Sequence, residues 1–507
     1  FGHIFAFATP SFPGMAMRLL TRHSSKSASR FWKLSLCTIA TLSSPNPTLA
    51  LLPSSSFPHT TRITTSHSST NQLHRQMTST GSTSEEGTTT TTKKGLSPRV
   101  LETLDPCVVL MKQLIGQYSH LWQDKGGIFS LAQGVVYWEP PQTCQEALME
   151  EISKPSNLLH TYGPAQGIPE LTQALEEKIV QENALTNHDV MVTVGANQAF
   201  VNCVLTTLCD DSKAVVFSPY YFNHVMALQM CCGDDSVVVG PSSSEGIPDL
   251  EWLEETLKNN SIDMVTIVNP GNPTGVSLPK SFLQQVADLC DKYSAWLVLD
   301  CTYEYFTLPE GHQPIATFPD APHVIHIFSL SKSYSLAGYR CGYLCLHQDA
   351  KVSNSSSSSG DDTTTTTSLL SNMLKVQDTL PIAPPRISQI AAYGALKAGK
   401  EWVREKYATL DPSRQLILDS LQPLEIMGGS GAMYVMAKLP LQQDGKVVDD
   451  VEICRRLVEE YGIAIIPGTY CGFPGWIRVC YANLPLEQCQ QAAERLQTGI
   501  QKIVLLH

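Results

Sequence analysis

The chain lacks any apolar run approaching the ~18 residues that a membrane-crossing helix needs, so no helical span is predicted. It has 15 cysteines but no CxxC pair and no Cys/His cluster with metal-ligand spacing, so no metal centre is predicted. The cysteines read as small buried apolar residues in a reducing compartment. Acidic residues are missing from the first 84 positions, which hold seven Lys or Arg. All 47 acidic residues fall in the remainder, and this acidic body argues against nucleic acid or an anionic membrane as the main partner.

What is present is a 507-residue chain with 42% hydrophobic and 16% charged residues, enough for a large core and two domains plus extensions. Residues 1–94 are rich in Ser, Thr and Pro and end in the tract Thr88 to Thr92. They offer too little apolar surface to offset ordering, and disorder is expected. Arg18, Arg22, Lys26, Arg30 and Lys33 precede the apolar Leu34 to Ala40. A basic, hydroxyl-rich, acid-free leader of this kind fits an organelle-targeting peptide for a plastid or mitochondrion. A mispredicted gene start fits as well, with Met77 opening a cytoplasmic form. A second low-complexity stretch, Ser353 to Thr367, is expected to be a solvated loop between a strand and a helix.

Between these tracts the chain alternates. Val190 to Val194, Ala214 to Phe217, Ser236 to Val239, Met264 to Val268, Ala295 to Leu299 and Val324 to Phe328 read as short buried strands. Helical periodicity falls at Leu171 to Glu182, Asn197 to Cys209, Asp249 to Lys258 and Ser281 to Tyr293. Unbroken apolar strands alternating with amphipathic helices predict an α/β fold with a mostly parallel central sheet covered on both faces. Ligands in such sheets sit beyond the carboxyl ends of the strands.

Four strand ends carry chemistry. Gly195-Ala196-Asn197-Gln198 is a small-residue turn opening a helix, an anion site in form, although plain helix entries look the same. Asn269-Pro270-Gly271-Asn272-Pro273-Thr274-Gly275 holds two rigid Asn-Pro steps, where an amide can donate to a phenolic oxygen. Asp300-Cys301-Thr302-Tyr303 offers a carboxylate for a ring nitrogen and a phenol three residues on. Ser329 to Arg340 holds Lys332 among small hydroxyl residues, with an arginine eight residues later. An amine for an aldehyde and a guanidinium for a phosphate together point to pyridoxal 5'-phosphate (PLP).

Taken together, these segments resemble the class I/II aminotransferases of PLP fold type I over roughly residues 100–500. Ser130 to Pro141, Pro219 to Asn223 and Thr302 to Phe306 look most like the plant aromatic and methionine aminotransferases. The resemblance implies Lys332, Asp300 and Tyr303 as catalytic residues. Lys332 would form the Schiff base and shuttle the proton, and Asp300 would pair the pyridine nitrogen. Asn272 and Tyr303 would bind the phenolic oxygen. Gly195, Ala196, Asn197, Ser329 and Arg340 would hold the phosphate, and Tyr221 would stack on the ring. Tyr162 would reach the phosphate of a partner subunit in a homodimer. Gly134, Tyr221, Asn272 and Arg478 would bind substrate, Arg478 by gripping the α-carboxylate.

The implied layout is a leader at 1–94, a large PLP-binding domain at 145–384 with an insertion at 352–368, and a smaller α/β domain from 95–144 and 385–507. The implied reaction moves an amino group between an aromatic amino acid or methionine and a 2-oxoacid by a ping-pong route. A β- or γ-lyase, an aminocyclopropane carboxylate synthase or a silent binding protein on the same scaffold are the competing readings.

Overall fold

The computed structural model describes residues 95–308, 317–354, 365–441 and 445–504. Seven strands form the central sheet: β1 (His188–Thr193), β2 (Ala214–Phe217), β3 (Val237–Gly240), β4 (Met264–Val268), β5 (Trp296–Asp300), β6 (Val324–Ser329) and β7 (Gly342–His347). Their spatial order is β1-β7-β6-β5-β4-β2-β3. The pairs from β6 to β3 are parallel, and β7 runs antiparallel to both β1 and β6. The carboxyl ends of β1, β4, β5 and β6 therefore share one edge with the amino end of β7.

Both faces of the sheet are buried because alternate strand residues point into separate cores. Leu297 and Leu299 of β5 join one cluster with Leu171, Leu175 and Ile179 of helix α1 (Pro169–Asn183). Val298 joins the other, with Phe200 and Cys203 of α2 (Gly195–Thr207) and Val225 and Leu228 of α3 (Phe222–Cys232). Continuous apolar runs are what such two-sided burial demands, so the α/β expectation and its mostly parallel sheet hold.

A second sheet of four antiparallel strands lies in the C-terminal part: β8 (Ile426–Gly428), β9 (Tyr434–Lys438), β10 (Ile466–Pro467) and β11 (Trp476–Cys480), in the order β8-β9-β11-β10. Phe129–Ser130 pairs in parallel with Ile463–Ala464, so chain from before and after the large sheet meets.

One expectation needs correction. The Ser/Thr stretch is not simply a loop: Lys351–Asn354 and Thr365–Ser368 pair as an antiparallel hairpin. β-branched threonines favour extended backbone, which the loop reading overlooked. The centre of that stretch and the leader at 1–94 lie outside the described residues. Among the described residues no helix is long and apolar enough to cross a membrane.

A buried ion pair braces the sheet behind the site. Lys178 Nζ of α1 lies 2.9 Å from Glu304 Oε2 and 3.2 Å from Asn183 Oδ1. It also sits 5.2 Å from the ring centres of Tyr305 and Phe328. Burial raises the Glu304 pKa despite this partner. Glu304 directly follows Tyr303, so the pair ties α1 to the segment leaving β5.

Candidate active site

A cavity of about 340 Å³ opens at the shared strand edge, within the range of roughly 300–1,000 Å³ usual for small-molecule sites. Val268, Asp300 and Ser329, the last residues of β4, β5 and β6, all line it.

Lys332 enters from a four-residue helix, Leu330–Ser333, directly after β6. Ser329 caps that helix, its hydroxyl accepting the Ser331 N–H at 3.1 Å. The Lys332 ammonium donates to the Gly134 carbonyl. Burial pulls its pKa from 10.5 down to about 8; the nearby Cys480 opposes this shift, and the positive charges of Arg340 and Arg478 add to it.

Asp300 is buried. Its Oδ1 accepts the Thr302 N–H at 3.0 Å, and its Oδ2 lies 3.2 Å from His224 Nε2. His224, on the first turn of α3, is 4% exposed and packs on Phe200 with ring centres 4.1 Å apart. Sequence reading missed His224: a single histidine in an apolar helix carries no pattern that sets it apart from a core residue.

Tyr303 is buried, and its hydroxyl lies 2.7 Å from the Tyr434 hydroxyl. Burial, and then Tyr434, raise its pKa well above 10, so it stays a neutral phenol able to donate. Asn272 Nδ2 points at the same hydroxyl from 3.4 Å, and its Oδ1 accepts from Arg478 at 2.9 Å. This second bond fixes which way the amide faces. Tyr434, on β9, was also missed: it joins Tyr303 across 131 residues of chain, and local sequence does not encode that distance.

Arg478, on β11, is 3% exposed and donates to the Ala132 carbonyl at 2.5 Å. Its guanidinium carbon stands 4.5 Å from the Tyr434 ring centre. Its Nε is buried and has no hydrogen-bond partner among the described residues, which leaves a donor to spare beside the cavity.

At the other end, α2 begins at Gly195 with φ +79. A Cβ there would come within 2.4 Å of Arg340 Nη2, so only glycine lets the guanidinium lie against the turn. Ala196, Asn197 and Arg340 face the cavity. Tyr221 lies between the two ends, its hydroxyl donating to Asn197 Oδ1 at 3.3 Å and accepting from Asn223 at 3.0 Å. Burial pushes its pKa up to about 12. Gly134 lines the same space, and a Cβ there would strike the Tyr434 hydroxyl at 2.1 Å. Two expected residues are not among the cavity walls: Gly195, which lies against Arg340, and Tyr162, which is 78% exposed.

The donor set suits PLP. It supplies a depressed-pKa amine, a buried carboxylate held by a histidine, two donors around one oxygen position, and a glycine turn faced by arginine. The profile of the family described as aminotransferase class I and II matches residues 127–496, and the chain belongs to that family. It is a PLP-dependent aminotransferase of fold type I.

The aromatic aminotransferase ISS1 of Arabidopsis thaliana is 38% identical over 416 residues, covering 81% of this chain and 97% of that protein. The aspartate/prephenate aminotransferase of Thermus thermophilus is 29% identical, covering 73% and 90%. Among solved structures, a single mutant of Thermus thermophilus aspartate aminotransferase superposes with a TM-score of 0.67 at 26% identity, covering 80% of this chain and 100% of the other.

Proposed function

We propose that this aminotransferase moves the amino group of an aromatic amino acid or methionine to a 2-oxoacid by a ping-pong route. The observation that carries the reading is the set of cations lining the cavity: Lys332, Arg340 and Arg478. One serves the aldehyde, one the phosphate and one the substrate α-carboxylate. Among the described residues, no further cation lines the cavity to meet a second carboxylate, and the nearby Val108 and Val135 are apolar. Desolvating an unpaired carboxylate against such a wall is costly. The relative named as an aromatic aminotransferase supports the same preference.

Bound in this cavity, PLP supplies an aldehyde for the Lys332 amine and a protonated ring that withdraws electrons from the substrate α-carbon. Asp300, oriented by His224 and the Thr302 N–H, holds the proton on the ring nitrogen. Tyr303 and Asn272 donate to the phenolic oxygen, and Tyr221 covers the ring face. Gly195, Ala196, Asn197, Ser329 and Arg340 hold the phosphate. Arg478 grips the α-carboxylate in two-pronged fashion, with Gly134, Tyr221 and Asn272 beside it. Lys332, whose pKa burial lowers to about 8, would be the amine placed to move the proton at the substrate α-carbon.

The exposed Tyr162 fits a role in the site of a second copy, in a homodimer. The division into 145–384 and 95–144 with 385–507 belongs to this reading too.

Steady-state kinetics with Trp, Phe, Tyr, Met, Asp and Glu as donors and matched 2-oxoacid acceptors test the preference. The aromatic donors or Met should exceed Asp in kcat/KM by roughly tenfold or more. Equal or greater rates with Asp overturn it.

A further inference from the structure

A fully buried amide lies behind the phosphate end of the cavity. Gln377 sits on helix α4 (Leu369–Thr379), one turn beyond the buried Met373. Its Nε2 donates to the Val192 carbonyl at 2.7 Å and the Ala165 carbonyl at 3.1 Å. Its Oε1 accepts from Gln198 at 2.8 Å and Asn202 at 2.9 Å. Both N–H groups and both lone pairs are used, so the amide has one orientation.

Gln198 passes the constraint on. Its own Oε1 accepts the backbone N–H of Val194 at 2.5 Å. Val194 is the cap residue of α2, immediately before Gly195. The end of β1, the turn at 194–197 and the start of α2 are thus pinned to one side chain. Neither Gln377 nor Gln198 lines the cavity, whereas Ala196 and Asn197 do.

We infer that Gln377 is a positioning residue that sets the 194–197 turn through Gln198, and so governs the grip on the phosphate rather than on the ring. The inference rests on the proposed assignment of Gly195, Ala196, Asn197 and Arg340 to the phosphate. A relay of this kind puts a buried side chain on a third element in control of one end of the cofactor only. The Asp300, Asn272 and Tyr303 end is held by separate contacts, to His224, Arg478 and Tyr434.

The test uses the cofactor-free full chain titrated with PLP and with pyridoxal, which has the same aldehyde and ring but no phosphate. Absorbance of the lysine adduct reads both. The wild-type chain should bind PLP more tightly than pyridoxal. Gln377→Met should weaken PLP binding roughly tenfold, the scale of one buried hydrogen-bond partner lost, while pyridoxal binding stays within about twofold. Gln198→Met should reproduce this loss, and the double variant should add little to it.

Parallel loss of both affinities with a lowered unfolding midpoint marks a merely structural role and overturns the inference, as does an unchanged PLP affinity. Should Gln377→Met fail to fold, the half-buried Gln198→Met decides by the same criteria. A wild-type chain that does not distinguish PLP from pyridoxal overturns the phosphate assignment itself.

Discussion

On the proposed assignment of Lys332 to the cofactor aldehyde, its depressed pKa should govern how fast the empty protein captures PLP. Only a neutral amine attacks an aldehyde, and an ordinary lysine titrating at 10.5 is almost wholly protonated near neutrality. Here burial, reinforced by Arg340 and Arg478, brings the value to about 8. A quarter of the amine is then neutral at about pH 7.5, against roughly one part in a thousand for an unperturbed lysine. Between about pH 7 and about pH 9.5 the capture rate should rise roughly tenfold and level off, against a rise of roughly 300-fold for an amine titrating at 10.5. Stopped-flow absorbance after mixing cofactor-free protein with PLP follows the step. A rate still climbing tenfold per pH unit beyond about pH 9 refutes the electrostatic argument.

Three further outcomes are expected. On the proposed pairing of Asp300 with the ring nitrogen, Asp300→Ala should lower turnover roughly 30-fold or more, the low end of the cost of truncating a buried charge pair; wild-type rates count against its role. Lys178→Met strands the buried Glu304 carboxyl and should cost about 3–5 kcal/mol by chemical denaturation, with Lys178→Met/Glu304→Leu recovering most of the loss; a double variant no more stable than the single contradicts this. The third concerns acid stability at the far end of the sheet. His188 is packed between His326 and His347, with ring centres 5.8 and 5.1 Å away. Burial, with a smaller push from the neighbouring histidine, lowers the pKa of His188 to about 4 and of His326 to about 3, Asp320 partly opposing the shift at His188. The unfolded chain therefore takes up these protons first, and stability present above about pH 6.5 should fall progressively toward about pH 4. Thermal midpoints should show this slope, and His188→Gln should flatten it; a midpoint independent of pH across that window rules it out.

Much of the site was legible in the sequence because its groups sit at strand ends. Lys332, Asp300, Asn272 and Arg340 each follow or close a short apolar run, and the fold then brings those ends to one edge. Buried parallel strands betray themselves by composition, which made the sheet readable as well. What stayed hidden depends on contacts between distant segments. His224 became meaningful only when α3 packed its first turn beneath Asp300, and Tyr434 only when the second sheet brought it to Tyr303. The antiparallel run of β7 leaves no mark on its own residues, since a strand buried on both faces reads alike in either direction. The hairpin flanking the Ser/Thr tract was hidden by low complexity, which hides the extended preference of threonine.

The claim beneath all of this is that Lys332 carries the cofactor. Borohydride reduction of the PLP-loaded protein, followed by proteolysis and mass spectrometry, tests it directly. The account predicts a single pyridoxyl-modified peptide, with the label on Lys332. A label on another lysine, or no label in protein that has bound PLP, contradicts it.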